Sequence, residues 1–418
     1  MADVTIGSPT TLRGRVGRVA ERVLPNLDQG AYFRARRRDM RDRLQSGAYD
    51  EFLGKRPGGR GAPAPPQQWT GRAHLVVVPD EGRDYDSWGP GHRNFYYEAA
   101  QVLREAPSDV DVSVFHVEQG EPPALWHTRL IDYLIDTNAT HLLANIESDP
   151  GTAAASWTWD TAWSLLSERW GGVLLGVMFD SAYRHTTLKG RLLARMSPNF
   201  MLVDICMPMD GAMMRGRPEV GPVNMPMSDE SMALVDARLA DTAVEHDISF
   251  VGVLYPYRVE LIEALRAEGL TVAVNPHRQD AARTREQTLS NQPGWLDYMA
   301  GLHSGRATIN FSQAAARPVE QLKTRVIEAG LARTLLLTDD VDRTRLFWTP
   351  DVEYGYFADA ADLPAVAQSF LVDPVRLSAA RDSFASRARV LAKSGFWGGV
   401  EQGLARRGLP LILSAPAG

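Results

Sequence analysis

Two long stretches of the chain repeat one pattern: a short β-branched or leucine-rich run, a turn of glycine and small residues, then an amphipathic stretch. Runs that are apolar throughout belong to strands covered by helices on both faces, so the pattern predicts parallel α/β units. Strands are predicted at 74–79, 112–117, 141–146, 173–179 and 200–205, with helices near 94–105, 125–137, 153–170 and 187–195. Residues 208–247 break the rhythm with Pro, Gly and Met. A second series then begins, with strands at 248–253, 271–275, 307–311, 334–338 and 354–357 and helices at 258–268, 295–303, 321–332, 363–371 and 374–394. The expected fold is α/β, with two Rossmann-like doubly wound domains facing across a cleft. Ligands of such sheets bind beyond the carboxyl ends of the strands, so the loops there are where chemistry is sought. The domain reading is an extension at 1–66, a first domain at 67–228, a second at 229–394, and a segment at 395–418 that returns to the first.

The chain has 418 residues, 44% of them hydrophobic and 23% charged, which excludes fibrous and wholly disordered classes. Its one cysteine, Cys206, forms no internal disulfide and implies no cysteine metal site. No apolar run approaches the roughly 20 residues that span a bilayer, and the first residues lack the apolar core of a secretory signal. A cytoplasmic protein is expected. The net charge of −6 conceals an asymmetry, because residues 1–60 hold 13 Lys and Arg against 7 Asp and Glu. Helices are expected at 11–27 and 29–53, the second carrying Arg34, Arg36, Arg37, Arg38, Arg41 and Arg43, before a Pro/Gly linker at 57–66. Such an arm is either a solvated helix pair packed on the body or a peripheral contact for the inner membrane face or an acidic protein. No nucleic-acid partner is expected.

Several motifs are absent. The turn at 87–94 (SWGPGHRN) is glycine-rich but is not G-x-G-x-x-G, and the chain has neither a P-loop nor a G-x-S-x-G elbow. Hydride transfer, ordinary nucleotide hydrolysis and α/β-hydrolase chemistry lose their support. Gly89 and Gly91 would let an acceptor approach the backbone, and His92, at the start of the next helix, is either a proton acceptor or a structural hydrogen-bond partner. Asp180 ends the fourth strand, where it orients hydroxyls, takes a proton or caps a turn. Asp109-Val110-Asp111 leads into a strand instead of ending one and reads as a surface turn, so no metal is expected. The methionines at 207–227 read as flexible packing, and Trp126, Trp157, Trp159, Trp163 and Trp170 as core and lid residues.

In the second domain, Gly252 closes a strand and Arg258 stands near the start of the next helix, where dipole and guanidinium act together on a diphosphate. Ser312 follows another strand end. Glu320 and Glu328 are separated by seven residues that include Lys323 and Arg325. On a helix begun at 319 or 320 the two carboxylates lie about 80° apart and some 12 Å along the axis, so they serve different parts of one long ligand.

These residues resemble the GT-B glycosyltransferases, in particular the retaining group 1 type and its spore-maturation-protein branch. The resemblance rests on the DISFVG start of the second domain with Arg258, the stretch 298–312 (YMAGLHSGRATINFS), the E-x7-E of Glu320 and Glu328 with Arg325, and Phe396-Trp397. It covers about residues 245–400 well and the first domain in outline. It implies that Glu328 binds the ribose of a nucleotide sugar, that Glu320 faces the donor sugar, and that Arg258 with Lys323 or Arg325 holds the diphosphate. The family's Gly-Phe-Gly after the first glutamate is replaced here by Gln321-Leu322-Lys323. The function so implied is transfer of a hexose from a UDP- or GDP-sugar to a hydroxyl of a small molecule, lipid or glycan, retaining and without a metal or other cofactor. Glu320, Asp180 and His92 are the catalytic candidates. A catalytically silent scaffold and a nucleotide-sugar hydrolase or epimerase are the alternatives.

Overall fold

The computed structural model describes residues 29–47, 49, 72–79, 88–106, 109–118, 121–146, 159–179, 184–206, 220–252, 254–276, 294–312, 322–339 and 343–413. The predicted helix at 11–27, the linker at 57–66, Trp157, Asp180 and Glu320 lie outside these residues.

The first domain is a five-stranded parallel sheet in the order β2-β1-β3-β4-β5. Its strands are β1 (His74–Val78), β2 (Asp111–Val114), β3 (His141–Asn145), β4 (Val173–Met178) and β5 (Phe200–Asp204). The helices α2 (Phe95–Glu105), α3 (Pro123–Asp136), α4 (Trp159–Arg169) and α5 (Arg184–Ala194) alternate with them. Strands β3, β4 and β5 are buried at every residue, as helix-covered strands with continuous apolar sequence must be. Preceding the domain is α1 (Gln29–Gln45). This helix ends eight residues earlier than the sequence suggests, followed by Gly47 in the left-handed region at φ 76°. Arg43 reaches the buried Asp160 of α4 at 3.7 Å, and Tyr49 is hydrogen-bonded to His127 of α3 at 2.7 Å, so the arm is anchored on the body. Arg34, Arg37, Arg38 and Arg41 are exposed.

The second sheet has the order β10-β9-β8-β6-β7, again all parallel. Its strands are β6 (His246–Gly252), β7 (Val272–Pro276), β8 (Gly305–Asn310), β9 (Leu335–Thr338) and the short β10 (Gly355–Tyr356). The helices of this half are α6 (Asp229–Ala240), α7 (Pro256–Ala267), α8 (Trp295–His303), α9 (Thr324–Leu331), α10 (Leu363–Leu371) and α11 (Pro374–Arg407). The two-sheet α/β architecture expected from the sequence is therefore present.

Three elements differ from expectation for reasons that bear on the site. Helix α6 falls in the stretch whose Pro, Gly and Met content suggests no helix; Ser228 caps it by accepting from Ser231 N–H, and Glu98 of α2 accepts from Ser228 N–H at 2.7 Å. It is thus tied to the first domain at its amino end. Helix α9 begins at Thr324, not near 320. Helix α11 runs 34 residues, about 51 Å, through the expected boundary at 394. Gly399 is a spacing residue there, since a Cβ on it would stand 2.8 Å from Val223 Cγ1. Beyond that point Trp397 Nε1 donates to Ala99 O at 2.9 Å, Phe396 meets Phe95 edge to face at 5.1 Å, and His141 Nε2 hydrogen-bonds Pro410 O at 2.9 Å. One apolar cluster consequently crosses both domains, uniting Phe95, Met225, Met299, Trp348, Phe396 and Trp397. Met225 and Met227 are buried in it, which makes them packing residues; the other hinge methionines lie outside the described residues. Trp126, Trp159, Trp163 and Trp170 fill the core on the far face of the first sheet.

Gly330 of α9 lies so close to α11 that a Cβ there would stand 2.4 Å from Ala388 Cβ. Gly330→Val is expected to lower unfolding stability by about 1–3 kcal/mol, the ordinary cost of overpacking, measured by urea denaturation. Burial also pushes His127 down to about 3 and His141 down to about 4. Both are neutral when folded, so the stability they contribute is complete above the ordinary histidine range near 6.5 and is lost as pH falls through the window down to about 4. His141→Gln should flatten the fall in melting temperature between pH 6.5 and 4.5, and an unchanged slope would contradict this origin.

Candidate functional site

The carboxyl ends of β1 in the first sheet and of β6 and β8 in the second supply loops to one cleft. On the first-domain side, Asn94 caps α2 by accepting from Tyr97 N–H at 2.9 Å, which fixes where the preceding loop ends. Gly91 has φ 75°, its N–H donates to Ser231 Oγ of α6 at 3.0 Å, and a Cβ on it would stand 3.1 Å from Leu234. Gly89 has φ 158°, and its missing side chain faces His92. His92 is exposed, while its neighbour Arg93 adopts φ 56° and turns into the cleft.

On the second-domain side, Gly252 ends β6 at φ 153°, and a Cβ there would stand 2.7 Å from Arg325 Nη2. The backbone conformation favours glycine here, and a side chain would displace the guanidinium from its place. Arg325 donates Nη2 to Val251 O and lies 5.2 Å over the Phe250 ring, bracing the turn. Arg258 is 8% exposed, stacks 4.6 Å from Tyr255 and 5.4 Å from Phe311, and donates Nε to Tyr257 Oη at 2.8 Å. Aromatic faces thus hold a desolvated cation at the start of α7. Ser312, buried beyond β8, donates to Asp339 Oδ1 at 2.5 Å, placing a carboxylate at the end of β9.

Helix α9 joins the two sides. Lys323 is its N-cap and makes no side-chain capping bond, and no acidic residue occupies the first turn, so its amino end keeps its positive character. Lys323 and Thr324 line a small pocket with Cys206, Asn224 and Met225 of the interdomain connection. Glu328, four residues and about 6 Å along the axis from Thr324, is 2% exposed. Its Oε1 accepts from Arg93 Nε at 2.8 Å and its Oε2 from Tyr298 Oη at 2.8 Å. Arg93 Nη2 also donates to Thr324 Oγ1 at 2.7 Å, so one guanidinium spans the i, i+4 pair on α9. Burial, and next the Glu328 carboxylate, push the Tyr298 hydroxyl up to about 12, so it remains a donor at neutral pH.

The structure thus gathers Gly252, Arg258, Lys323, Arg325, Glu328, Gly89 and Gly91 around the cleft loops, with Ser312 at the end of β8; His92 lies on the exposed side of its loop. Arg93, Tyr298, Thr324 and Asp339 carry no assignment from the sequence. Asp339 follows a strand and was open to the strand-end rule that selects Asp180. The position of Arg93 depends on a positive φ in a non-glycine residue, which no local pattern announces. Asp109 and Asp111 are both ion-paired to Arg72, with Asp111 at the start of β2, away from the cleft.

Chemically the arrangement offers a helix amino end with cations for an anion, and one helical turn on, a buried carboxylate for hydroxyl donors. Residues 258–395 match the model of a family described as glycosyl transferase-like. Among solved structures, the chain is similar to an alpha-glucosyltransferase in complex with UDP and a 13-mer DNA containing a central A:G mismatch, at 10% identity and TM-score 0.51 over 80% of this chain and 99% of that one. It is also similar to sucrose-phosphate synthase from Thermosynechococcus elongatus, at 14% identity and TM-score 0.49 over 81% and 99% of the two chains. A third similarity is to HepE of Anabaena in complex with UDP-glucose, at 11% identity and TM-score 0.43 over 81% and 98%. No curated protein sequence matches the chain. Residues 258–395, in the second domain, thus carry a glycosyl transferase-like match, and the two-sheet fold is the GT-B architecture shared with the alpha-glucosyltransferase.

Tyr298→Phe leaves one oxygen of a buried carboxylate without its donor and should lower stability by about 1–3 kcal/mol in urea denaturation. A variant as stable as the parent would show that the hydroxyl is not needed to hold Glu328.

Proposed function

We propose that the protein moves a hexose from a nucleoside diphosphate sugar to a hydroxyl acceptor, with retention of configuration and without a metal ion. The observation that carries this reading is the buried Glu328 carboxylate one turn from the cationic amino end of α9. Glu328 takes the ribose hydroxyls, while Lys323 and the α9 amides take the diphosphate. Arg258 adds a fixed cation, and Arg325 acts by bracing the Gly252 turn beside which the diphosphate lies. Uridine is the base favoured, in keeping with the UDP complex of the structural relative. Glu320 is assigned to the donor sugar and Ser312 to the donor side; Gly89, Gly91, His92 and Asp180 are assigned to the acceptor.

In the reaction the bond from the anomeric carbon to the diphosphate oxygen breaks and its electron pair leaves with the diphosphate. Negative charge grows there while the sugar becomes positive, so preorganised cations and amides stabilise the transition state more than the ground state. The acceptor oxygen then bonds to the anomeric carbon on the face that the diphosphate leaves, and its proton passes to the departing phosphate oxygen.

Calorimetric titration with UDP, GDP, ADP and dTDP in the absence of metal tests the donor site. One of them should bind, and Glu328→Ala should weaken it at least about fivefold, the scale of one lost charge-assisted hydrogen bond. Binding by none of the four, or binding indifferent to the substitution, would contradict the assignment.

A further inference from the structure

Glu328 raises a question of access. Its side chain is 3% exposed, and each of its oxygens already accepts a hydrogen bond from the protein. Each oxygen keeps a second lone pair, but with so little of the side chain open a ribose reaches it only when one of the groups covering it moves. Tyr298 is fixed, being 7% exposed inside the second domain and next to the carboxylate on its own side of the cleft. Arg93 is not fixed in this way: it comes from the other domain, its side chain is 31% exposed, and its guanidinium is the lid over the carboxylate.

The consequences of displacement follow from where Arg93 is rooted. Its backbone is held by the Asn94 cap and by the Gly91 bond to Ser231, so the guanidinium stays within reach of α9. Nη2 already lies 2.7 Å from Thr324 Oγ1, in the first turn of α9. A guanidinium released from Glu328 at that point faces the helix end where a diphosphate places its charge, and it binds phosphate oxygens through the same fork with which it binds a carboxylate.

We propose that Arg93 is a donor-binding residue lent by the first domain: it occupies the ribose position on Glu328, yields it to the incoming ribose, and passes to the diphosphate. The exchange makes the diphosphate favour the opening of Glu328, because it gives the released guanidinium a new anion. A nucleoside alone displaces Arg93 without offering it a new anion, so the site discriminates against nucleosides. This inference rests on the nucleotide-sugar reading above.

The test uses the nucleoside diphosphate that binds best and its own nucleoside, with dissociation constants from calorimetry and, for the nucleoside, ligand-observed NMR. Arg93→Ala should weaken the diphosphate about tenfold, as loss of a charge-assisted contact does, and tighten the nucleoside, since Glu328 is uncovered. Arg93→Lys retains the charge but cannot span Thr324 and Glu328, so it should tighten the nucleoside with the diphosphate within about threefold of the parent; it also decides the matter if the alanine variant does not fold. Opposite signs for the two ligands support the exchange. Parallel weakening would make Arg93 a structural strut, parallel tightening would make it a lock only, and no change would remove it from the site; each overturns the proposal. Failure of the parent protein to bind any nucleoside diphosphate would instead overturn the donor-site reading beneath it.

Discussion

A carboxylate removed from water must be compensated by donors, and the structure around the cleft is organised by that requirement at Glu328. The glutamate belongs to the second domain, one of its donors to the first, so a single buried charge spans the cleft. Tyr298 holds it from α8 and Arg93 from the loop after β1. Two carboxylates of α2, Glu98 and Glu105, play a related part at the amino end of α6. Burial pushes Glu98 above the usual carboxylate range even as it accepts from Ser228 and Ser231, and Glu105 accepts from Asp229 N–H at 2.8 Å. The amino end of α6 is thereby seated on α2, and the domains meet through polar contacts whose geometry is specific, not through apolar area alone.

The placement of Glu328 depends on helix packing some distance from it. α9 is only eight residues long and does not stand alone; it lies against α11, close enough that Gly330 can have no side chain. α11 in turn extends past its own domain, where Trp397 and Phe396 enter the first domain's core beside α2. The helix that positions Glu328 therefore shares a core with the helix that follows the Arg93 loop. A change of angle between the domains would alter the Arg93–Glu328 contact directly.

Much of the fold was legible because covered parallel strands have continuous apolar sequence, as in His141–Asn145 and Leu335–Thr338. What escaped depended on contacts distant in sequence. α6 follows a stretch rich in Pro and Gly, and its amino end is seated by Glu98, 130 residues away from Ser228. The extension of α11 past 394 depends on Gly399, which lets the helix approach Val223, a residue distant in sequence. Of the candidate site, Glu328 and the cations beside it were visible through the spacing of Glu320, Glu328 and Arg325, and Arg258 through its place at the start of a helix after a strand end. Arg93 was not, because its importance comes from a left-handed backbone and a partner 235 positions further along the sequence. Sequence spacing finds groups that share one helix; groups that meet across a cleft require the fold.

The central claim is that the amino end of α9 and Glu328 form the nucleotide half of a glycosyl donor site. A crystal structure of the protein grown with a nucleoside diphosphate tests it most directly. The account predicts the ribose hydroxyls within hydrogen-bonding distance of Glu328, with the phosphates at Lys323 and Thr324. A nucleotide bound elsewhere, with the Arg93–Glu328 contact intact, would contradict it.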